Sequence, residues 1–240
     1  ANRARGDIAI ELHLQGLDNA AHRGAFILYG KEAASPARTL LDEYMARGLI
    51  GQAESLCRAC VESNPSDVNM VALLGAVLLK ARQPREAERH LRAAIRLAPN
   101  FAKPHADLGR LLLETGGAQE AMETLENAVR LDPSDADAWF SLGQARAQLR
   151  DGPGADQAFE RCFELDPERK ALALGAEHQQ AGRWRKAEAQ YRSVLRSNPR
   201  NVDALIDLGF AHLAQENPQE ALDAFDEAVR ADGASPAAAH

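Results

Sequence analysis

The residue types best suited to chemistry in this chain are three cysteines, Cys57, Cys60 and Cys162, and two of its seven histidines, His178 and His212. Cys57-Arg-Ala-Cys60 is a C-x-x-C, and two thiols one helical turn apart can bind a metal or cycle through a disulfide. No second C-x-x-C and no paired histidines supply further ligands. His178 and His212 form a polar pair that suits an acidic ligand or titration near neutral pH. There is no Ser-His-Asp order, no phosphate-cradling glycine loop and no H-E-x-x-H. The expectation is a chain that is not an enzyme, with no catalytic, cofactor-binding or metal-binding residues.

The 240 residues are 45% hydrophobic, 26% charged and only 5% aromatic, with much alanine and leucine, a balance that favours helices over sheets. A net charge of -7 argues against nucleic acid or an anionic membrane as general partner. No run of about 18 apolar residues occurs, so no membrane span is expected. Residues 1–33 lack the basic-then-apolar layout of a secretory signal. An odd cysteine count rules out a fully paired intrachain framework, and free thiols fit the reducing cytoplasm.

The elements that must position these residues show through the prolines. Pro65, Pro99, Pro133, Pro167 and Pro199 are spaced 34, 34, 34 and 32 residues apart. Gly75, Gly109, Gly143, Gly175 and Gly209, each directly after a leucine, follow at 34, 34, 32 and 34. The leucine column is Leu40, Leu74, Leu108, Leu142, Leu174 and Leu208, and an alanine column runs Ala53, Ala87, Ala121, Ala155, Ala187 and Ala221. The next two read Cys57, Leu91, Leu125, Phe159, Tyr191, Phe225, and Cys60, Ala94, Ala128, Cys162, Val194, Ala228. Spacings of three, four and seven put these side chains on one helical face. Small residues at a crossing let two backbones approach, and a larger one fills the next gap. The cysteines thus occupy packing columns, where cysteine acts as a small buried hydrophobe. Pro84, Pro153 and Pro218 stand where a second helix begins, a position that needs no N–H.

This pattern resembles the tetratricopeptide-repeat (TPR) consensus. The resemblance implies an all-α, right-handed superhelical solenoid of about six helix-turn-helix repeats: 34–67, 68–101, 102–135, 136–167, 168–201 and 202–235. The first repeat has Leu41 where the others have glycine, which suggests a looser hairpin. Residues 1–33 stand outside the repeat, as an irregular segment, capping helix or extended arm. Residues 236–240 read as the start of a truncated further helix, so the chain is expected to be a piece of a longer protein. Uncapped ends, or the N-terminal segment, would allow self-association. The arginine-rich composition points to a bacterial source with a GC-rich genome.

In TPR proteins the first helix of each repeat lines the inner surface, and the resemblance implies a protein or peptide partner held there. The partner-binding candidates are Leu79, Arg110, Leu113, Phe140, Arg169, Leu172, Ile206, Phe210 and Leu213, with Ala72, Ala76 and Ala106 on the same apolar face. Asp203 and Asp207, with the two arginines, would set orientation. Chaperone-tail clamps share a Lys/Arg and Asn pattern; Arg38 and Lys103 match it, but Asp42, Leu73 and Asp107 depart from it, and Asp107 would repel a carboxylate. The asparagine ladder of large glycosyltransferase arrays is missing. A second expectation comes from "FAKPHADLGRLLLETG" and the shortened connection at Pro167, which are similar to arrays preceding bacterial sulfotransferase domains. On that expectation the chain is the regulatory or targeting array of a larger enzyme.

Overall fold

The computed structural model describes residues 36–233. Over that span lie twelve helices: α1 (Pro36–Ala46), α2 (Ile50–Ser63), α3 (Val68–Lys80), α4 (Pro84–Leu97), α5 (Ala102–Glu114), α6 (Ala118–Leu131), α7 (Ala136–Gln148), α8 (Gly152–Leu165), α9 (Pro167–Gln180), α10 (Trp184–Ser197), α11 (Val202–Leu213) and α12 (Pro218–Gly233). Consecutive helices pair as hairpins, α1 with α2 through α11 with α12. Among the described residues there are no strands, and the chain is all-α. The expectations for residues 1–33 and 236–240 lie outside the described residues. Cα packing divides the chain between Pro99 and Asn100, so α1–α4 belong to one compact unit and α5–α12 to a second.

Every hairpin turns on one left-handed residue: Gly48 (φ 67°), Arg82 (57°), Gly116 (89°), Arg150 (62°), Gly182 (68°) and Glu216 (61°). The following N–H reaches back to a carbonyl five residues earlier, as from Gln83 to Leu78 at 2.9 Å and from Gly117 to Leu112 at 2.8 Å. This is the Schellman closure, which satisfies the last carbonyls of the first helix. Three helix starts after the longer loops carry side-chain caps: Asp67 accepts from Asn69 and Met70, Asp135 from Ala138, and Asn201 from Ala204, whereas α5, with Phe101 at the cap position, has none.

The core follows the repeat columns. Ala53, Ala87, Ala121, Ala187 and Ala221 are fully buried, as are Leu91, Leu125 and Tyr191. A Cβ built on Gly109 would lie 2.4 Å from Leu125 Cγ, and one on Gly175 would lie 2.4 Å from Tyr191 Cε1, so glycine there is a requirement of close helix approach. Leu41 is itself buried in the first hairpin, filling the position where a glycine is absent.

The short connection produces the main irregularity of the second unit. Asp166 alone joins α8 to α9, closing the first and capping the second through Arg169 N–H at 3.0 Å. Pro167, which by the repeat pattern closes a repeat, therefore opens α9 at a position that needs no N–H. Helices α8 and α9 pack far less closely than α6 with α7 or α10 with α11. Leu174 consequently stands 36% exposed, whereas Leu74, Leu108 and Leu142 are at most 2% exposed.

One side chain spans this loose step. The Arg169 guanidinium meets Asp137 of α7 at 2.6 Å and Asp166 at 3.4 Å, and lies 5.0 Å over the Phe140 ring. It also approaches Cys162 Sγ of α8 at 3.8 Å. A planar cation can serve carboxylates along its edge and an aromatic ring on its face together.

Candidate functional site

The thiols of Cys57 and Cys60 form the clearest chemical motif of the sequence. Cys57 and Cys162 are fully buried and Cys60 half-buried, all three as free cysteines. Burial, reinforced by neighbouring Cys60 and opposed by Arg38, pushes the Cys57 thiol up to about 12. A thiol so held is neither a nucleophile nor a ready metal ligand at neutral pH. Among the described residues no group of three or more His, Cys, Asp or Glu is placed to hold a metal ion. The expected outcome with a thiol-reactive dye at pH 7.5 is slow labelling of Cys60 first. Cys57 and Cys162 should label only as the chain unfolds in urea. Rapid labelling of native Cys57 would restore the redox reading of the motif.

The histidines also serve the framework. Arg146, His178 and His212 occupy equivalent positions on α7, α9 and α11. His178 Nδ1 accepts from Arg183 Nε at 3.2 Å, and Arg146 donates to the Gly154 carbonyl at 3.0 Å and to Glu126 at 2.9 Å. Each contact ties the first helix to its own turn or to a neighbouring helix. His212 is 5% exposed, with its Nδ1 unpartnered.

The candidates drawn from the first helices divide by unit. Leu79 lies half-buried on α3 of the first unit. On the second unit, α5 carries Arg110 and Leu113, α7 Phe140, α9 Arg169 and Leu172, and α11 Ile206, Phe210 and Leu213. Leu113 is half-buried, and Leu172 packs against the core cluster of Ala187, Tyr191, Leu208, Ala211 and Ala224. Phe140 is half-buried between the Phe159 ring, 5.5 Å away, and the Arg169 guanidinium, so its ring is largely spoken for. Ala72 and Ala106, expected on an open apolar face, are buried.

The accessible apolar area of this set is instead concentrated on α11. Ile206 is 36% exposed, Phe210 49% and Leu213 48%, at spacings of four and three that place them in one stripe. Phe210 stands edge-on to Phe225 at 5.4 Å, which holds the ring without covering it. Leu222 and Val229 of α12 are also exposed, and no feature of the repeat pattern pointed to them.

The charge reading of Asp107 needs correction. Its side chain is only 4% exposed and lies beneath Arg110 at 2.9 Å and Lys103 at 3.6 Å, whose side chains are 48% and 57% exposed. Burial raises its carboxyl pKa against the pull of both cations. What α5 presents at this point is therefore two cation heads above the acid they share, with one net positive charge left for an incoming carboxylate. Neighbouring Asp137 is held below the usual carboxylate range, chiefly by the Arg169 hydrogen bond.

Comparison with known proteins agrees with this architecture. Residues 124–233 match the model of the cytochrome c-type biogenesis protein H TPR domain, and residues 78–149 match a tetratricopeptide-repeat model. No curated protein matches the chain in sequence. Among solved structures, the TPR protein TTC0263 of Thermus thermophilus superposes with a TM-score of 0.62 at 21% identity, over 74% of this chain and 97% of that one. Pseudomonas aeruginosa pilF gives a TM-score of 0.58 at 22% identity, over 83% of this chain and 92% of that one. At such identities the likeness speaks to fold. Two repeat models together run from residue 78 to 233 and the helical-hairpin fold is shared with known TPR structures, so the chain carries tetratricopeptide repeats over that span.

Proposed function

We propose that the chain is a protein-interaction scaffold that holds an apolar-centred partner segment against the first helices of its second unit. The observation that carries this is the exposed stripe Ile206, Phe210 and Leu213, held on a helix whose other face is buried. Contiguous exposed apolar side chains on a rigid helix are costly in water and favour a partner's apolar face. Arg110, Leu113, Phe140, Arg169 and Leu172 form the rest of the proposed contact, with the half-buried members shaping its floor. Leu79 is proposed as a partner contact of the first unit. The protein is proposed to be non-catalytic and, with its thiols free, cytoplasmic.

A second reading keeps the same face but makes the chain the targeting array of a larger enzyme. The model matched at residues 124–233 is described as the TPR domain of a named protein, which favours reading the array as a module. Both readings share one test. Peptides selected on the chain from a displayed random library should bind, and Phe210→Ala or Leu213→Ala should weaken them by at least about tenfold, the scale of an interface hot spot. Unchanged affinity in both variants would remove the α11 stripe from the binding face.

A further inference from the structure

The first helices of the second unit carry opposite charges at their two ends. On α5, Lys103 and Arg110 stand over buried Asp107, and the stripe ends one turn later in exposed Glu114. On α7 and α9, Asp137 and Arg169 neutralise each other at 2.6 Å. On α11, Asp203 and Asp207 stand one turn apart, and among the described residues neither meets a cation. Helix α11 contains no Lys or Arg. Proximity to Asp203, added to burial, raises the Asp207 carboxyl pKa, as expected for two acids with no counter-charge. One net positive charge around Asp107 on α5 thus gives way to a neutral pair and then to uncompensated negative charge at α11. The exposed apolar stripe lies on this same helix, beside the two acids.

We infer that the partner segment is dipolar, with a carboxylate-bearing end over Lys103 and Arg110, a cationic end over Asp203 and Asp207, and an apolar anchor beside the cations seated on Phe210. This rests on the proposed binding face and adds the partner's charge order to it. The place of Asp107 beneath Lys103 and Arg110 matters, because it offsets one of the two charges and leaves the cation heads, with one net positive charge, as the surface a partner meets. Directly packed helices sit about 8–10 Å apart, so three such steps from α5 to α11 would separate the two ends by roughly 25–30 Å. The looser step at Asp166, between α7 and α9, makes this a lower bound. An extended segment of about eight or nine residues spans that distance.

Reversing a peptide's sequence would not test this, since a peptide can also bind turned end for end. The test uses three end-blocked fluorescent peptides with one shared Leu/Phe-rich core of about eight residues. One carries two glutamates at one end and two lysines at the other; the second carries glutamates at both ends, the third lysines at both. Anisotropy at about 150 mM salt should show the dipolar peptide tightest, by roughly tenfold over each of the others, with the margin shrinking at about 1 M as the charges are screened. The comparison with the all-lysine peptide is the sharper one, because the net charge of -7 favours that peptide at long range. In Asp203→Lys the all-glutamate peptide should gain on the dipolar one. Equal affinity of all three, or an all-lysine peptide as tight as the dipolar one, overturns the charge order while leaving the apolar face standing. Failure of all three to bind removes the binding face itself, and the inference with it.

Discussion

Gly109→Val is expected to destabilise the chain by about 3 kcal/mol, the upper range for forcing extra carbons into a packed core. The first added carbon would lie 2.4 Å from Leu125 Cγ and 2.8 Å from Cδ2. Leu125 is fully buried, so it has no solvent-facing rotamer to retreat into. Relief requires α5 and α6 to move apart, which opens the hairpin that both helices need to bury their apolar faces. Gly109→Ala should cost less, since alanine regains up to about 1 kcal/mol of helix propensity against the same overlap. Gly51 supplies the control. A Cβ there meets nothing within 4 Å, so Gly51→Ala should stabilise by about 0.5 kcal/mol through the unfolded chain. Urea unfolding of the three variants checks the set. A Gly109→Val loss no larger than that of Gly109→Ala would mean that the α5–α6 crossing is slack and that the glycine column has another cause.

That glycine column is also the part of the fold most legible in the sequence. Leu-Gly recurring near every 34 residues, with alanine and a large side chain at fixed offsets, encodes close crossing directly, because only absent or small side chains permit it. The turns were less legible. Their left-handed residue is glycine at 48, 116 and 182 but Arg82, Arg150 and Glu216 elsewhere, so residue type does not mark the position. Those three accept strain that the Schellman bonds and flanking helices offset. The two missing residues near Pro167 were visible as a count. Their result, a one-residue link with Leu174 left exposed, depends on how two helices then pack, which spacing does not encode.

The binding face shows the same division. Helical periodicity places Asp107, Arg110, Phe140 and Phe210 on comparable faces, yet they meet different fates. Asp107 sinks beneath two cations, Phe140 is shared by Phe159 and Arg169, and Phe210 stays half-exposed. Periodicity assigns a side to each residue, whereas exposure is set by what the neighbouring helix brings to that side. The sign of the charge that a partner meets follows from exposure, which is why Asp107 read as repulsive in sequence and is covered in the fold.

Tyr191→Ala is expected to cost about 4 kcal/mol, within the range for removing a buried aromatic side chain. Tyr191 is 0% exposed and packs with Ala187 of its own helix, Leu208 and Ala211 of α11, and Ala224 of α12. Its ring also fills the space against Gly175 of α9, so one side chain joins the fifth hairpin to the sixth. The hydroxyl meets Gln179 at 3.0 Å, and burial, with Asp207 adding, pushes the phenol up to about 12, keeping it neutral and able to donate. Tyr191→Phe removes that bond while keeping the ring, and should cost only about 1 kcal/mol. The pair separates packing from hydrogen bonding in one measurement of urea stability. Comparable losses in the two variants would assign the position to the hydroxyl and contradict the packing account. The consequence reaches the binding face, because Leu208 and Ala211 support the helix that carries Ile206, Phe210 and Leu213. Tyr191→Phe should bind selected peptides as the parent does, while Tyr191→Ala should lose them at urea concentrations well below those that release peptide from the parent. In a repeat array each hairpin is held by its neighbours, so loosening the fifth removes the platform of the sixth.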